Sequence, residues 1–467
     1  MLKKMLYKVK HLLTGKNRNQ IALIAVVIGS AVAILDGTIV NLALPRIGAE
    51  WHSGYASLQW ITDAYLLSLS ALILIGGSLG DIFGRKKMYL IGVVGFGLSS
   101  LLCAFSINAE MLIAVRMLQG IFGALLVPGA LSIINTTFHS SERSQAIGRW
   151  TAWSSIAVVI GPFLGGWILA VASWRWIFFI NVPLALACYI LAKISVQESK
   201  DTRVRSVDII GAVLATISLA GITYGLIEGP ANHWGLMYLM SITLGVLFFI
   251  LFLICEKVRR DPMVKLSLFT SRNFVGANLM TFLMYGALGG FTFALVIYLQ
   301  TTLHYSAFAA GVSLLPISIC MMLFSGKVGG LSAKYGPRLF MTVGPILAGI
   351  GMAFLFFLKP GDTYLMNILP GVVIFSAGLT LLVSPLTTTV MASVDHTDSG
   401  IASGVNNAVA RSAGLIVVAM LGFFGASQAY SFAMGLCAAL AILGGLVSLV
   451  LIERPRKAAP AETVPVA

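Results

Sequence analysis

The chain has 467 residues, of which 58% are hydrophobic and 10% charged, with mean hydropathy +0.93, 48 glycines and a formal charge of +14. That balance excludes a water-soluble domain. Apolar stretches recur along almost the whole length and no polar block is large enough for an extramembrane domain, so the function belongs inside a bilayer. The five cysteines (Cys103, Cys188, Cys255, Cys320, Cys437) are odd in number and scattered in or at the ends of apolar runs. They read as packing residues, with no disulfide framework, metal cluster or cofactor implied.

In the first 18 residues Leu2, Met5, Leu6, Val9, Leu12 and Leu13 fall largely on one helical face with lysines between them. Residues 1–20 are therefore expected to lie as an amphipathic segment at the cytoplasmic interface. A cleaved leader fits less well, because the next apolar run is too long and lacks a small-residue cleavage site. A helix needs about 20 apolar residues to cross ~30 Å of hydrocarbon. Fourteen segments qualify, with cores at 21–45, 56–80, 88–106, 111–135, 146–171, 175–195, 208–228, 236–255, 274–299, 309–332, 338–358, 364–391, 400–427 and 430–452. The expected fold is all-α and integral to the membrane, with a tail at 453–467.

Lys and Arg in short loops mark the cytoplasmic side. With both termini placed there, 26 of the 31 basic residues fall in the two tails and the even-to-odd loops. Only Arg46, Arg175 and Lys359 fall outside, while Arg116 and Arg411 lie within spans. The positive charge is thus a matter of topology, with anionic lipid as its partner, and nucleic acid is not expected.

One pair of loops repeats. After span 2 the chain reads Gly77-Ser-Leu79-Gly-Asp81-Ile-Phe-Gly84-Arg85-Lys86-Lys87, and after span 10 Gly329-Gly-Leu331-Ser-Ala333-Lys-Tyr-Gly336-Pro-Arg338. The offset of eight spans becomes a six-plus-six duplication if spans 7 and 8 are inserted between two halves. In the first loop Asp81 can accept from a helix N-terminus or from Arg85, making a cytoplasmic gate that Gly77 and Gly84 allow to pack and turn.

That loop resembles the signature of the major facilitator superfamily, Gly-x-Leu-x-Asp-x-x-Gly-Arg-Lys. Further stretches agree in order: Leu35-Asp36-Gly-Thr38-Ile-Val-Asn41-Leu-Ala43-Leu44-Pro45 in span 1, Arg116-Met-Leu-Gln119-Gly120 in span 4, and Gly148 with Gly161-Pro162-Phe-Leu-Gly165-Gly166 in span 5. Ala157 replaces the middle glycine of that last, antiporter-type motif. With Trp60, Tyr65, the Trp174–Pro183 stretch and Gly404-Val-Asn406-Asn407 before Arg411, the chain is most similar to the fourteen-span drug/proton antiporter branch. The resemblance implies a major facilitator fold with six-helix bundles at 21–195 and 274–452, two inserted helices within 196–273, and export by a monomer of lipophilic cationic or neutral compounds in exchange for protons, with export of an endogenous metabolite or lipid as the alternative on the same fold.

Asp36 is the leading proton-coupling candidate, because an acid deep in a span is costly and normally faces a cavity. Arg116 is its expected neighbour, and Asp63, at comparable depth, is a second proton or cation candidate. Span 5 is expected to touch the other half through Gly161, Pro162, Gly165 and Gly166 and to seal the cytoplasmic route. Substrate-binding candidates are Asn41, Trp60, Tyr65, Gln119, Trp153, Tyr285, Asn406 and Asn407, with Met280 and Met284 as adaptable pocket walls. Glu228 reads as interfacial, and Arg411 is open between anionic substrate, a helix terminus and packing. The chain shows no zinc-protease motif, nucleotide loop or selectivity-filter pattern, so an enzyme, an ATP-driven pump and a channel are all disfavoured.

Overall fold

The structure is a computed structural model that describes residues 15–138, 140–200, 207–259, 262–394, 399–424 and 429–453. Residues 1–14 of the expected interfacial segment and most of the C-terminal tail lie outside these. Where backbone groups meet no water they must be satisfied within the segment, and the described chain answers with helices throughout. They are α1 (Gly15–Trp51), α2 (Tyr55–Phe83), α3 (Arg85–Ala104), α4 (Ala109–Thr137), α5 (Ser140–Val171), α6 (Trp176–Ser195), α7 (Ile209–Ala231), α8 (Leu236–Val258), α9 (Arg272–Thr301), α10 (Ala307–Tyr335), α11 (Pro337–Leu355), α12 (Tyr364–Ala392), α13 (Ser399–Met420) and α14 (Ala429–Leu451). α1 is 37 residues long and already helical from Gly15.

Among the described residues thirteen helices are long and apolar enough to cross a membrane. The expected fifth span falls in α5, a 32-residue helix several of whose side chains lie outside the described residues, and the apolar stretch described there is Ile160–Val171.

Two sets of helices pack among themselves, α1–α6 and α9–α14, and the hairpin α7–α8 lies against α2 and α13. Apolar attraction between helices is weak in lipid, so close contact depends on small residues that let backbones approach. In the first set Gly76 faces the Ala124 carbonyl across α2 and α4. In the second, Gly344 faces the Gly378 carbonyl across α11 and α12. The repeated loops are equivalent in conformation too: α2 ends at Gly84 (φ 116°) and α10 at Gly336 (φ 88°). A left-handed backbone at both positions favours glycine, which explains why the glycine recurs while the acid does not.

The two sets converge at one end of the bundle. There the Gln300 amide donates to the Leu42 carbonyl at 3.0 Å, the Gln59 amide donates to the Val418 carbonyl at 2.5 Å, and Gly311 backs onto the Pro162 carbonyl. This is the end at which Trp174 and Arg175 both donate to Glu50, at 2.6 and 2.8 Å. Toward the opposite, basic end, where the Gly84 and Gly336 turns lie, α2 and α13 still touch through Leu74 and Gly404.

Candidate functional site

Asp36 sits in the middle of α1 and is 2% exposed. Its carboxylate is ion-paired with Arg116 of α4, itself 1% exposed, and accepts from the Gln119 amide and from the Asn181 amide of α6, each at 3.0 Å. Arg116 also donates to the Ile61 carbonyl at 3.1 Å and to Gln119 Oε1 at 2.8 Å, and its guanidinium lies 4.4 Å from the centroid of the Tyr65 ring. Asn181 is held in turn by Ser100 at 3.0 Å. A buried ion pair is tolerated only when hydrogen bonds satisfy the remaining lone pairs and protons, and this network does so from α1, α2, α3, α4 and α6.

The arrangement has a chemical consequence. If Asp36 takes a proton, Arg116 keeps two neutral acceptors and an aromatic face, so the pair can come apart without leaving the guanidinium bare. Asp63 is different: it is fully buried on α2, and neither carboxylate oxygen has a hydrogen-bond partner among the described residues.

The loop at the basic end is organised within the first set of helices. Asp81 pairs with Arg85 at 2.7 Å, one of the two partners expected for it. The other, the N-terminus of α3, is instead capped by Glu198, which accepts from the backbone of Lys86 at 3.0 Å and of Lys87 at 3.1 Å. Lys86 answers by donating to the Lys193 and Val196 carbonyls at the end of α6, at 2.8 and 2.7 Å. Gly84 brings the backbone against the Glu198 carboxylate, 2.7 Å from where a Cβ would stand, and Gly77 lies 3.9 Å from Pro128 by the same measure. Replacing Glu198 with alanine is expected to cost about 1 kcal/mol through the lost cap. The expected readout is a lower midpoint of thermal unfolding in detergent, and an unchanged midpoint would show that the Glu198 cap contributes no stability.

The antiporter-type motif divides by role. Gly161 and Gly165 pack on Thr38 and Ile39 of α1, whereas Gly166 meets Phe308 and the Pro162 carbonyl meets Gly311, both on α10 of the other set. Contact with the other half is therefore made, and in this conformation it lies at the Glu50 end of the bundle. The cause is topological: Pro162 and Gly166 lie in the last third of α5, at the level where α10 begins. Gly148 is exposed, and a methyl group added to it would meet nothing within 4 Å.

The substrate candidates scatter. Gln119 and Tyr65 belong to the Asp36 network. Trp60 donates to Glu228 Oε1 at 2.8 Å, tying α2 to the inserted α7. Asn406 donates to Asn278 at 3.1 Å and to Thr281 at 2.8 Å, fastening α13 to α9. Asn41 accepts weakly from Thr62 at 3.4 Å. Trp153 is 61% exposed, Asn407 is exposed and Tyr285 is part-exposed. Met280 and Met284 are fully buried in the apolar core, their helix face packed against other helices in this conformation.

Asn181 and Glu198 are side chains of this network and of the loop that residue-by-residue reading did not single out. Asn181 had a signal, since an amide inside an apolar run needs a partner just as Asp36 does. Glu198 had none, because its partners are backbone groups more than 100 residues away.

Comparison with known proteins agrees with this architecture. The family model described as Major Facilitator Superfamily matches residues 26–419. A methylenomycin A resistance protein of Bacillus subtilis is 34% identical over 86% of this chain and 86% of its own length. A puromycin resistance protein of Streptomyces alboniger is 31% identical over 87% of this chain and 82% of its own. Among solved structures, a POT family transporter superposes with a TM-score of 0.70 at 14% identity, over 92% of this chain and 95% of that one. The helical fold, its membrane-length spans and the family match over most of the sequence together show that the chain is a multi-pass membrane transporter belonging to the Major Facilitator Superfamily.

Proposed function

We propose that the protein is a proton-coupled antiporter that exports lipophilic small molecules from the cytoplasm by alternating access. In this reading the basic end is cytoplasmic, α5 completes fourteen crossings, and α1–α6 rocks against α9–α14. The observation that carries it is the buried Asp36–Arg116 pair with its substitute acceptors, since a carboxylate that can be released from its counter-ion is what proton exchange requires. Asp63, buried with no hydrogen bond on either oxygen among the described residues, is the second proton carrier of the proposal. Export is supported by relatives named for resistance to methylenomycin A and puromycin.

The energetics suffice. Each inward proton is worth ~2.3 kcal/mol per 100 mV, which at one-to-one exchange sustains roughly a 40-fold gradient of a neutral compound. The test is substrate-induced pH change in acid-inside proteoliposomes. Puromycin or ethidium added outside is expected to release protons from vesicles containing the protein. Movement of either compound with no proton displacement would overturn antiport while leaving transport intact.

A further inference from the structure

Ser403, Asn407 and Arg411 recur every four residues along α13 and so share one face of the helix. Asn407 is exposed and the other two are part-exposed. On either side of this stripe α13 packs against the two sets of helices: Asn406 bonds to α9 and Gly414 packs on Gly289 of α9, while Gly404 meets Leu74 of α2. A guanidinium and an amide turned to lipid in the middle of a span are costly, so the polar stripe fits the cleft between the two sets of helices and not the hydrocarbon.

Arg411 makes no hydrogen bond or ion pair among the described residues, and Asp63 on the neighbouring α2 accepts no hydrogen bond from it. Gly414, three residues on from Arg411, stands beside the Tyr285 carbonyl of α9, so the guanidinium lies at the level where α13 meets the second set. The face of α13 between its α9 and α2 contacts therefore carries a positive charge with no hydrogen bond or ion pair among the described residues.

We propose that Arg411 is a substrate-binding residue that receives the oxyanion of an amphipathic acid, a compound with an apolar body and a carboxylate or acidic phenol at one end. The proposal deepens the export reading by naming a substrate class, and it replaces a preference for cations at this point of the cleft. A charge-assisted hydrogen bond in a site shielded from water discriminates an acid from its neutral ester by about tenfold or more.

The test measures binding without transport. The full chain is placed in phosphatidylcholine nanodiscs and titrated with 1-pyrenebutyrate and with its methyl ester, read by fluorescence. The parent protein is expected to bind the acid about tenfold tighter than the ester, Arg411→Gln to bring that ratio near one, and Arg411→Lys, which keeps a point charge without the planar fork, to retain part of it. Equal binding of acid and ester by the parent, or a ratio that survives Arg411→Gln, overturns the proposal. If phosphatidylglycerol in the disc displaces the acid from the parent, the site holds a lipid headgroup, and its assignment to substrate is overturned as well. Failure of the export reading shows separately, as a preserved binding ratio with no uphill movement of either compound in proteoliposomes.

Discussion

Asp36→Asn is expected to abolish substrate-driven proton release, at least about 100-fold, while substrate still equilibrates down its gradient through the protein. Asparagine keeps the size of the carboxylate and can still meet the Gln119 and Asn181 amides, but it cannot exchange a proton or neutralise Arg116. Removing one member of a buried pair leaves the other charge uncompensated and costs ~3–5 kcal/mol, so the variant should also unfold more easily. Here that cost is moderated, because Arg116 retains the Ile61 carbonyl and Gln119.

The double variant Asp36→Asn with Arg116→Gln separates structure from coupling. Both charges are gone, stability should return toward the parent, and proton release should stay absent. A purely structural pair gives the opposite result, with proton-linked transport recovering alongside stability. The measurements are pH change in proteoliposomes, substrate counterflow at zero gradient and thermal unfolding in detergent. Proton exchange at the parental rate in Asp36→Asn would falsify the assignment of the coupling site.

The second large effect is expected at Gly311. A methyl group there would stand 2.3 Å from the Pro162 carbonyl oxygen, and that neighbour is backbone that no rotamer change can move. Carbon and oxygen need ~3.3–3.6 Å, so α5 and α10 must part by about 1 Å. Overpacking of this kind costs ~1–3 kcal/mol. It is paid only in the conformation that holds α5 against α10, so Gly311→Ala should shift the population away from the form sealed at the Glu50 end by roughly 5–150-fold. Spin labels at His52 and Lys359 report the opening as a longer interlabel distance. Gly148→Ala is the control within the same motif family of small residues, since nothing lies within 4 Å of the added methyl. If Gly311→Ala and Gly148→Ala give the same distance distribution, the α5–α10 contact is no seal.

Composition and hydropathy alone specified an all-α membrane protein, and the positions of nearly all spans follow from one physical demand, that some 20 apolar residues must satisfy their own backbone in hydrocarbon. The repeated loop was legible because a positive-φ turn leaves a glycine in the sequence at Gly84 and again at Gly336. Asp36 and Arg116 stood out for a related reason: charge inside an apolar run is costly enough to be conspicuous without a structure.

Tertiary structure decided what those charges touch. That Asp36 is shared among Arg116, Gln119 and Asn181, that Asp63 has no partner among the described residues, that Glu198 caps α3, and that Pro162 meets Gly311 at the Glu50 end are all relations between segments far apart in the chain. A one-dimensional pattern records how much each residue dislikes lipid. It carries no record of which helix face meets which, because in a bilayer that choice rests on close backbone approach at small residues and on single hydrogen bonds.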